Sequence, residues 1–230
     1  MINEPVLFSD SIKNKVDAYN NQKTEDKLGK YWDNEKDKEL IKVKKHIKDY
    51  YIIKQNHICP YCQQQTLINH NAVWDTEHII PKDKYPQFLF EPENLCIACK
   101  ECNQAKSNTN VLKNPNRKTF PNKSEDYNFI HPHFDDYSSS IKILKSSLFF
   151  IPRNDKGKKT IETCGLLRFL YKYSNYSNIP LEIKNKIGHL HTELMNTNNS
   201  IEEHFILSRL EELVDHGKKI AQEQLLTSKS

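Results

Sequence analysis

Two cysteine pairs, Cys59-Pro60-Tyr61-Cys62 and Cys99-Lys100-Glu101-Cys102, constrain this chain more than any other feature. Each CxxC is a tight turn that can aim two thiolates at one ion. Two such turns are enough for the closed tetrahedral site that structural zinc prefers. The 36 residues between the pairs then form a loop tied at its base. On spacing alone two rivals exist: Cys96 forms a further CxxC with Cys99, and His57 lies two residues before Cys59. Cys96 stands in the apolar stretch Leu95-Cys96-Ile97, where a thiol behaves as a small hydrophobe. That favours Cys59, Cys62, Cys99 and Cys102 as the ligands. Four protein ligands leave no position for water, so such a site is structural. Cys164 stands alone in an apolar stretch and is expected in the core.

A metal site needs reduced thiols. The segment from Met1 to Asn14 mixes Asp and Glu and lacks the apolar run of a secretory leader. The longest apolar run, Leu148 to Pro152, is far too short to cross a bilayer. A cytoplasmic protein with no membrane partner is therefore expected, and there cysteines serve metals or chemistry before disulfides. The net charge of +4 says little about partners; its local distribution says more.

The chain divides into three segments. Residues 1–57 are Lys-rich and read as helical. Asp33 or Asn34 is the expected cap of a helix that places Leu40, Val43, Ile47 and Tyr50 or Tyr51 on one face. Lys36, Lys38, Lys42, Lys44, Lys45 and Lys48 take the other faces. A solvated surface is the plainer reading of these lysines, and a nucleic-acid-facing one is the alternative. Residues 58–110 hold the strong motifs. Residues 111–230 read as an Asn- and Pro-rich connector to about 135, a short hairpin over about 140–152, and helices beyond 158. Ser200-Ile201-Glu202-Glu203 fits a capping box before the face formed by Ile206, Leu210, Leu213 and Val214. His131, His133, His189 and His191 have no metal-ligand company at a convincing spacing and read as surface or locally bonded. The run Tyr171 to Tyr176 could stack on bases, but packing on the preceding helix is favoured.

Between the cysteine pairs lies Asp75-Thr76-Glu77-His78-Ile79-Ile80-Pro81, then a loop over 81–93, then Asn94-Leu95-Cys96-Ile97-Ala98. The second pair runs on into Asn103-Gln104-Ala105-Lys106. The order is strand (about 72–80), loop, strand (94–98), helix (100–107). An imidazole can take a proton from water near neutral pH, and a hard cation on oxygen ligands can neutralise a phosphate in reaction. From residue 100 to 123 the chain carries six cations against the single acid Glu101. Clustered cations suit a phosphate backbone without reading its sequence. Lys106, Lys100 and Lys113 are the expected contacts.

This arrangement resembles the HNH endonuclease family in its zinc-bearing, McrA-like form, built on the ββα-metal motif. The resemblance covers about residues 59–107. It implies an α+β chain with a ββα-metal core and a four-cysteine zinc site, flanked by N- and C-terminal helical segments. Position by position, it implies His78 as general base and Asn94 as the residue that orients it. Glu77 and Asn103 become ligands of a catalytic Mg²⁺ or Mn²⁺. The family more often has Asp before the histidine and His at the third position, so Asp75, on the same strand face as Glu77, is a reserve ligand. DNA is the favoured substrate over RNA, because attack by external water needs no ribose hydroxyl.

The wider layout is similar to the nuclease subunit of Septu-type antiphage systems and related retron effectors. It consists of a Lys-rich arm, the core, a hairpin, then Lys158-Lys159-Thr160-Ile161-Glu162-Thr163 leading into a helix. That implies a partner ATPase of the ABC/SMC-like class. No GxxxxGK[ST] motif occurs here, so ATP chemistry would belong to another chain. The competing readings are a zinc-stapled binding module without catalysis and an RNase toxin.

Overall fold

The computed structural model describes residues 2–67, 73–144, 149–169 and 180–227. It comprises two compact units, residues 1–141 with 153–165, and residues 142–152 with 166–230.

In the first unit, helix α1 (Asp10–Asn20) and helix α2 (Lys38–Lys54) pack together. Leu40, Val43, Ile47 and Tyr51 recur at three- and four-residue spacing and are fully buried. The cap is Asp37, whose carboxylate accepts from the Leu40 amide at 3.0 Å. The expected caps, Asp33 and Asn34, sit in and just after a preceding 3₁₀ turn, Gly29–Asp33. Propensity alone does not distinguish Asp33, Asn34 and Asp37, which lie within five positions.

Strands β1 (Trp74–His78) and β2 (Leu95–Cys99) form an antiparallel pair running from Trp74 opposite Cys99 to His78 opposite Leu95. Helix α2 packs on both strands. Just past its end, the Gln55 side chain mimics a peptide group: Nε2 donates to the Ile97 carbonyl at 2.9 Å, and Oε1 accepts from the Ile97 amide at 2.8 Å. Asn56 and His57 then take left-handed backbone conformations that turn the chain into the first cysteine pair. Helix α3 (Lys100–Lys106) follows β2 without a break. The ββα order thus stands as expected. The start of the expected first strand, Ala72, lies outside the described residues.

The expected boundaries at 57 and 110 do not divide this unit. Tyr19 donates its hydroxyl to the Pro86 carbonyl at 2.9 Å, and Tyr51 donates to that of Pro92 at 2.7 Å, fastening the N-terminal helices to the loop between the strands. The expected connector is also built in. Val111, Leu112, Tyr127, Phe129 and Ile130 are buried, and Leu112 bridges Tyr127. His131 and His133 are likewise buried, so of the expected readings, surface or locally bonded, they take the second. His133 Nε2 donates to the Leu95 carbonyl at 2.8 Å, under β2. Helix α4 (Tyr137–Ser140) and helix α5 (Asp155–Thr163) complete the unit. A Cβ on Gly157 would lie 1.9 Å from the Ser140 carbonyl oxygen, so only glycine allows that approach.

In the second unit, strands β3 (Ile141–Leu144) and β4 (Phe149–Pro152) form the expected hairpin. Helix α6 (Leu181–Asn196) packs on helix α7 (Ser200–Thr227) around Ile183, Ile187, Leu190, Leu194, Ile206 and Leu210. His191 is buried in this unit, whereas His189 is exposed. The α7 cap is Asn199, whose Oδ1 accepts from the Ile201 amide at 3.0 Å, rather than the expected Ser200. The Tyr171 to Tyr176 run lies outside the described residues. No helix among the described residues is long and apolar enough to cross a membrane.

Candidate active site and metal centre

The four expected cysteines converge. Their sulfurs all lie within 4.8 Å of one another, and Cys62 Sγ is 3.8 Å from Cys99 Sγ. A Zn–S bond of ~2.3 Å implies a tetrahedral edge of about 3.8 Å, so the spacing fits a four-thiolate ion site. Local geometry aims the thiols. Gln63 takes a left-handed conformation that closes the first turn, its amide donating to the Cys59 carbonyl at 2.9 Å. The Cys99 amide points at Cys59 Sγ at 3.5 Å, as a donor to a thiolate should. Neither Cys96 nor His57 belongs to the cluster. Cys96 is fully buried in β2, and Cys164 is buried too.

Beside this cluster, β1 lines a cleft of about 1010 Å³. Asp75, Glu77 and His78 come from β1, and Lys100 and Asn103 from α3. Asn103 Nδ2 donates to Asp75 Oδ2 at 2.9 Å. Turning that amide over would present two oxygens to one point. Both residues are half-buried, so the pair remains reachable from the cleft.

Glu77 is placed otherwise. Its side chain is nearly sealed, Lys106 Nζ lies 2.6 Å from Oε1, and the Tyr61 hydroxyl donates to the same oxygen at 3.2 Å. Burial pushes its carboxyl pKa up, and the Lys106 ammonium opposes that rise. The two acids thus have different partners: Asp75 meets Asn103, while Glu77 is held in an internal ion pair with Lys106. Alternation puts both acids on one strand face, but only Asp75 escapes Lys106.

Lys106 is corrected by the same geometry. It is fully buried and also donates to the His78 carbonyl at 3.0 Å, so it cannot be a surface phosphate contact. Lys113 is exposed and lies outside the cleft, whereas Lys100 lines it.

His78 is buried, with Nε2 3.1 Å from the Leu89 carbonyl oxygen. A carbonyl only accepts, so Nε2 carries the proton and the lone pair lies on Nδ1. Burial lowers the imidazole pKa to about 3. The Asn94 side chain hydrogen-bonds to backbone and not to this ring. Its Oδ1 accepts from the Ile80 amide at 2.7 Å, and its Nδ2 donates to the carbonyls of Phe88 and Ile80. It thus ties together the two ends of the loop that carries Leu89, whose carbonyl meets His78 Nε2.

Sequence reasoning missed Trp32. Its ring meets the His78 ring edge-on, centroids 4.7 Å apart at 89°. Forty-six positions separate the two, and no local pattern links them.

The HNH endonuclease family model matches residues 59–109. A Septu protein PtuB from Bacillus thuringiensis is 29% identical over 174 residues, covering 66% of this chain and 62% of that protein. The chain thus spans less than two thirds of the length of that relative. No solved structure matches. The cysteine cluster and the strand and helix that frame the cleft fall inside the matched stretch, and residues 59–109 are accordingly a domain of the HNH endonuclease family, a domain of phosphodiester hydrolases.

Proposed function

We propose that the chain is a cytoplasmic, metal-dependent endonuclease that hydrolyses DNA, and that it works as the nuclease subunit of an antiphage complex with an ATPase partner. The observation that carries the catalytic part is the neutral, oriented imidazole of His78 opening on the same cleft as the Asp75–Asn103 pair. The defence role is supported by the similarity to the Septu protein and by the absence of a Walker motif from this sequence.

In this reading the cysteines hold zinc, which fixes the base of the motif. Asp75 and Asn103 hold a divalent cation such as Mg²⁺ or Mn²⁺, and Glu77 supports them from behind through Lys106. The bound cation would neutralise charge on the phosphate and on the leaving oxygen. His78 Nδ1 takes the proton of the attacking water. Burial keeps the ring neutral at physiological pH, so the lone pair is present without prior deprotonation. A phosphodiester anion entering the cleft favours imidazolium and strengthens the base at the moment of attack. The Leu89 carbonyl, held by Asn94, keeps the ring from rotating.

The test is cleavage of plasmid DNA with Mg²⁺ or Mn²⁺ by the chain, alone and with its ATPase, against His78→Ala. Loss of a general base is expected to slow cleavage about 10²- to 10⁴-fold. Equal rates for the two proteins would end the catalytic claim. Cleavage of structured RNA in preference to DNA would turn the reading towards an RNase.

The pH profile offers an independent check. Because a base must be neutral to act, activity is lost as pH falls through its pKa. With that value depressed from 6.5 to about 3, kcat/KM is expected to stay flat through the ordinary histidine range. An inflection near 6.5 would contradict the burial of His78 in the working enzyme.

A further inference from the structure

The cleft has a second wall, built from residues that precede the matched stretch 59–109. Trp32 stands edge-on to His78. Lys44 Nζ lies 5.5 Å from the centre of the Trp32 ring and donates to the Trp32 carbonyl at 3.1 Å. The approach is close: a Cβ on Gly29 would fall 2.7 Å from the Lys82 carbonyl oxygen. The N-terminal segment is therefore fitted against the loop that follows β1.

Two lysines from opposite walls converge at the head of β1. Lys48, on α2, donates from Nζ to the Trp74 carbonyl at 2.7 Å. The Lys100 backbone amide, at the start of α3, donates to the Val73 carbonyl at 3.1 Å. Both residues line the cleft, beside Asp75. Burial lowers the Lys48 pKa; Asp75 opposes this, the like charge of Lys100 adds to it, and Asp49 opposes it again. Two ammonium groups that repel each other in a partly closed cleft make a receptor for an anion able to bridge them. A backbone phosphate, with two non-ester oxygens, has that form.

We propose that Lys48 of α2 and Lys100 of α3 clamp a phosphodiester next to the one facing His78, so that the N-terminal segment is half of the nucleic-acid-binding cleft. This rests on the nuclease reading of the cleft. The clamp contacts backbone and carries no base specificity.

The test uses the full chain carrying His78→Ala, which blocks cutting, and a fluorescent DNA duplex titrated at several salt concentrations. Adding Lys48→Gln or Lys100→Gln is expected to lower the salt slope of log K by about one each, with about tenfold weaker binding at ~0.1 M salt. Lys48→Arg should recover most of the affinity. Lys42→Gln, an exposed site on α2 paired with Glu39, should leave the slope unchanged. Unaltered slopes for Lys48→Gln and Lys100→Gln in folded, metal-loaded protein would overturn the clamp, as would failure of the His78→Ala chain to bind duplex at all. Cleavage by the wild-type chain, alone and with its ATPase, is scored separately. Cutting with an unaltered Lys48→Gln slope removes the clamp alone; Lys48-dependent binding without cutting removes the nuclease reading alone.

Discussion

Chelation of the metal from the four-cysteine cluster is expected to unfold the first unit at neutral pH. Structural zinc contributes about 10–16 kcal/mol of apparent binding free energy in small zinc-folded peptides. A whole domain is commonly stable by only about 5–15 kcal/mol. The hairpin here has just two strands and a helix of 7 residues, too little to persist on its own core. The cysteines draw the chain before β1 to the chain after β2, and α2 rests on both strands. Loss of the ion should therefore spread from the knuckles to α2, seen as a fall in helical circular dichroism and in melting temperature. Metal analysis should find one zinc per chain in wild type and in Cys96→Ala, and almost none in Cys99→Ser. Full retention of zinc by Cys99→Ser, or an unchanged melt after chelation, would remove the structural role.

Lys106→Met should cost about 3–5 kcal/mol, read from the midpoint of urea unfolding in the presence of zinc. Breaking a buried ion pair from one side leaves the other charge without compensation, and that penalty exceeds the net worth of the pair. Here the stranded group is Glu77, with 4% side-chain exposure and the Tyr61 hydroxyl as its remaining donor. The His78 carbonyl loses its partner as well. Adding Glu77→Gln should return much of the stability, since a neutral amide tolerates burial and can still accept from Tyr61. The single variant should also lose less at acid pH. Burial already raises the Glu77 pKa, and without Lys106 the carboxyl takes a proton more readily. A loss under about 1 kcal/mol for Lys106→Met, or no recovery in the double variant, would show that the pair carries little of the fold.

How much of this was legible beforehand depended on how local each signal was. The cysteine pairs could be read because each is a four-residue turn, and only their convergence was left to the fold. The ββα order was legible from an apolar strand abutting a helix start. The division of labour between Asp75 and Glu77 was not. Both sit on one face, and what separates them is Lys106, whose position near a phosphate or inside the protein depends on how α3 packs on β1. The 111–135 stretch hid its role because its buried residues follow neither a 2 nor a 3.6 period. They anchor irregular chain through aromatic rings, as Tyr127 does with a 2.6 Å bond to the Pro121 carbonyl. Trp32 was invisible for a related reason, since the contact that gives it meaning is tertiary.

A two-stranded sheet has two outer edges, and an unguarded edge invites another molecule to add a strand. Here the guards are side chains. Gln55 takes both the amide and the carbonyl of Ile97 on β2, while Lys48 and Lys106 take the carbonyls of Trp74 and His78 on β1. Side chains thereby take up ladder positions on both edges without a third strand, and the cleft lies against β1. Of these guards, Lys48 also lines the cleft.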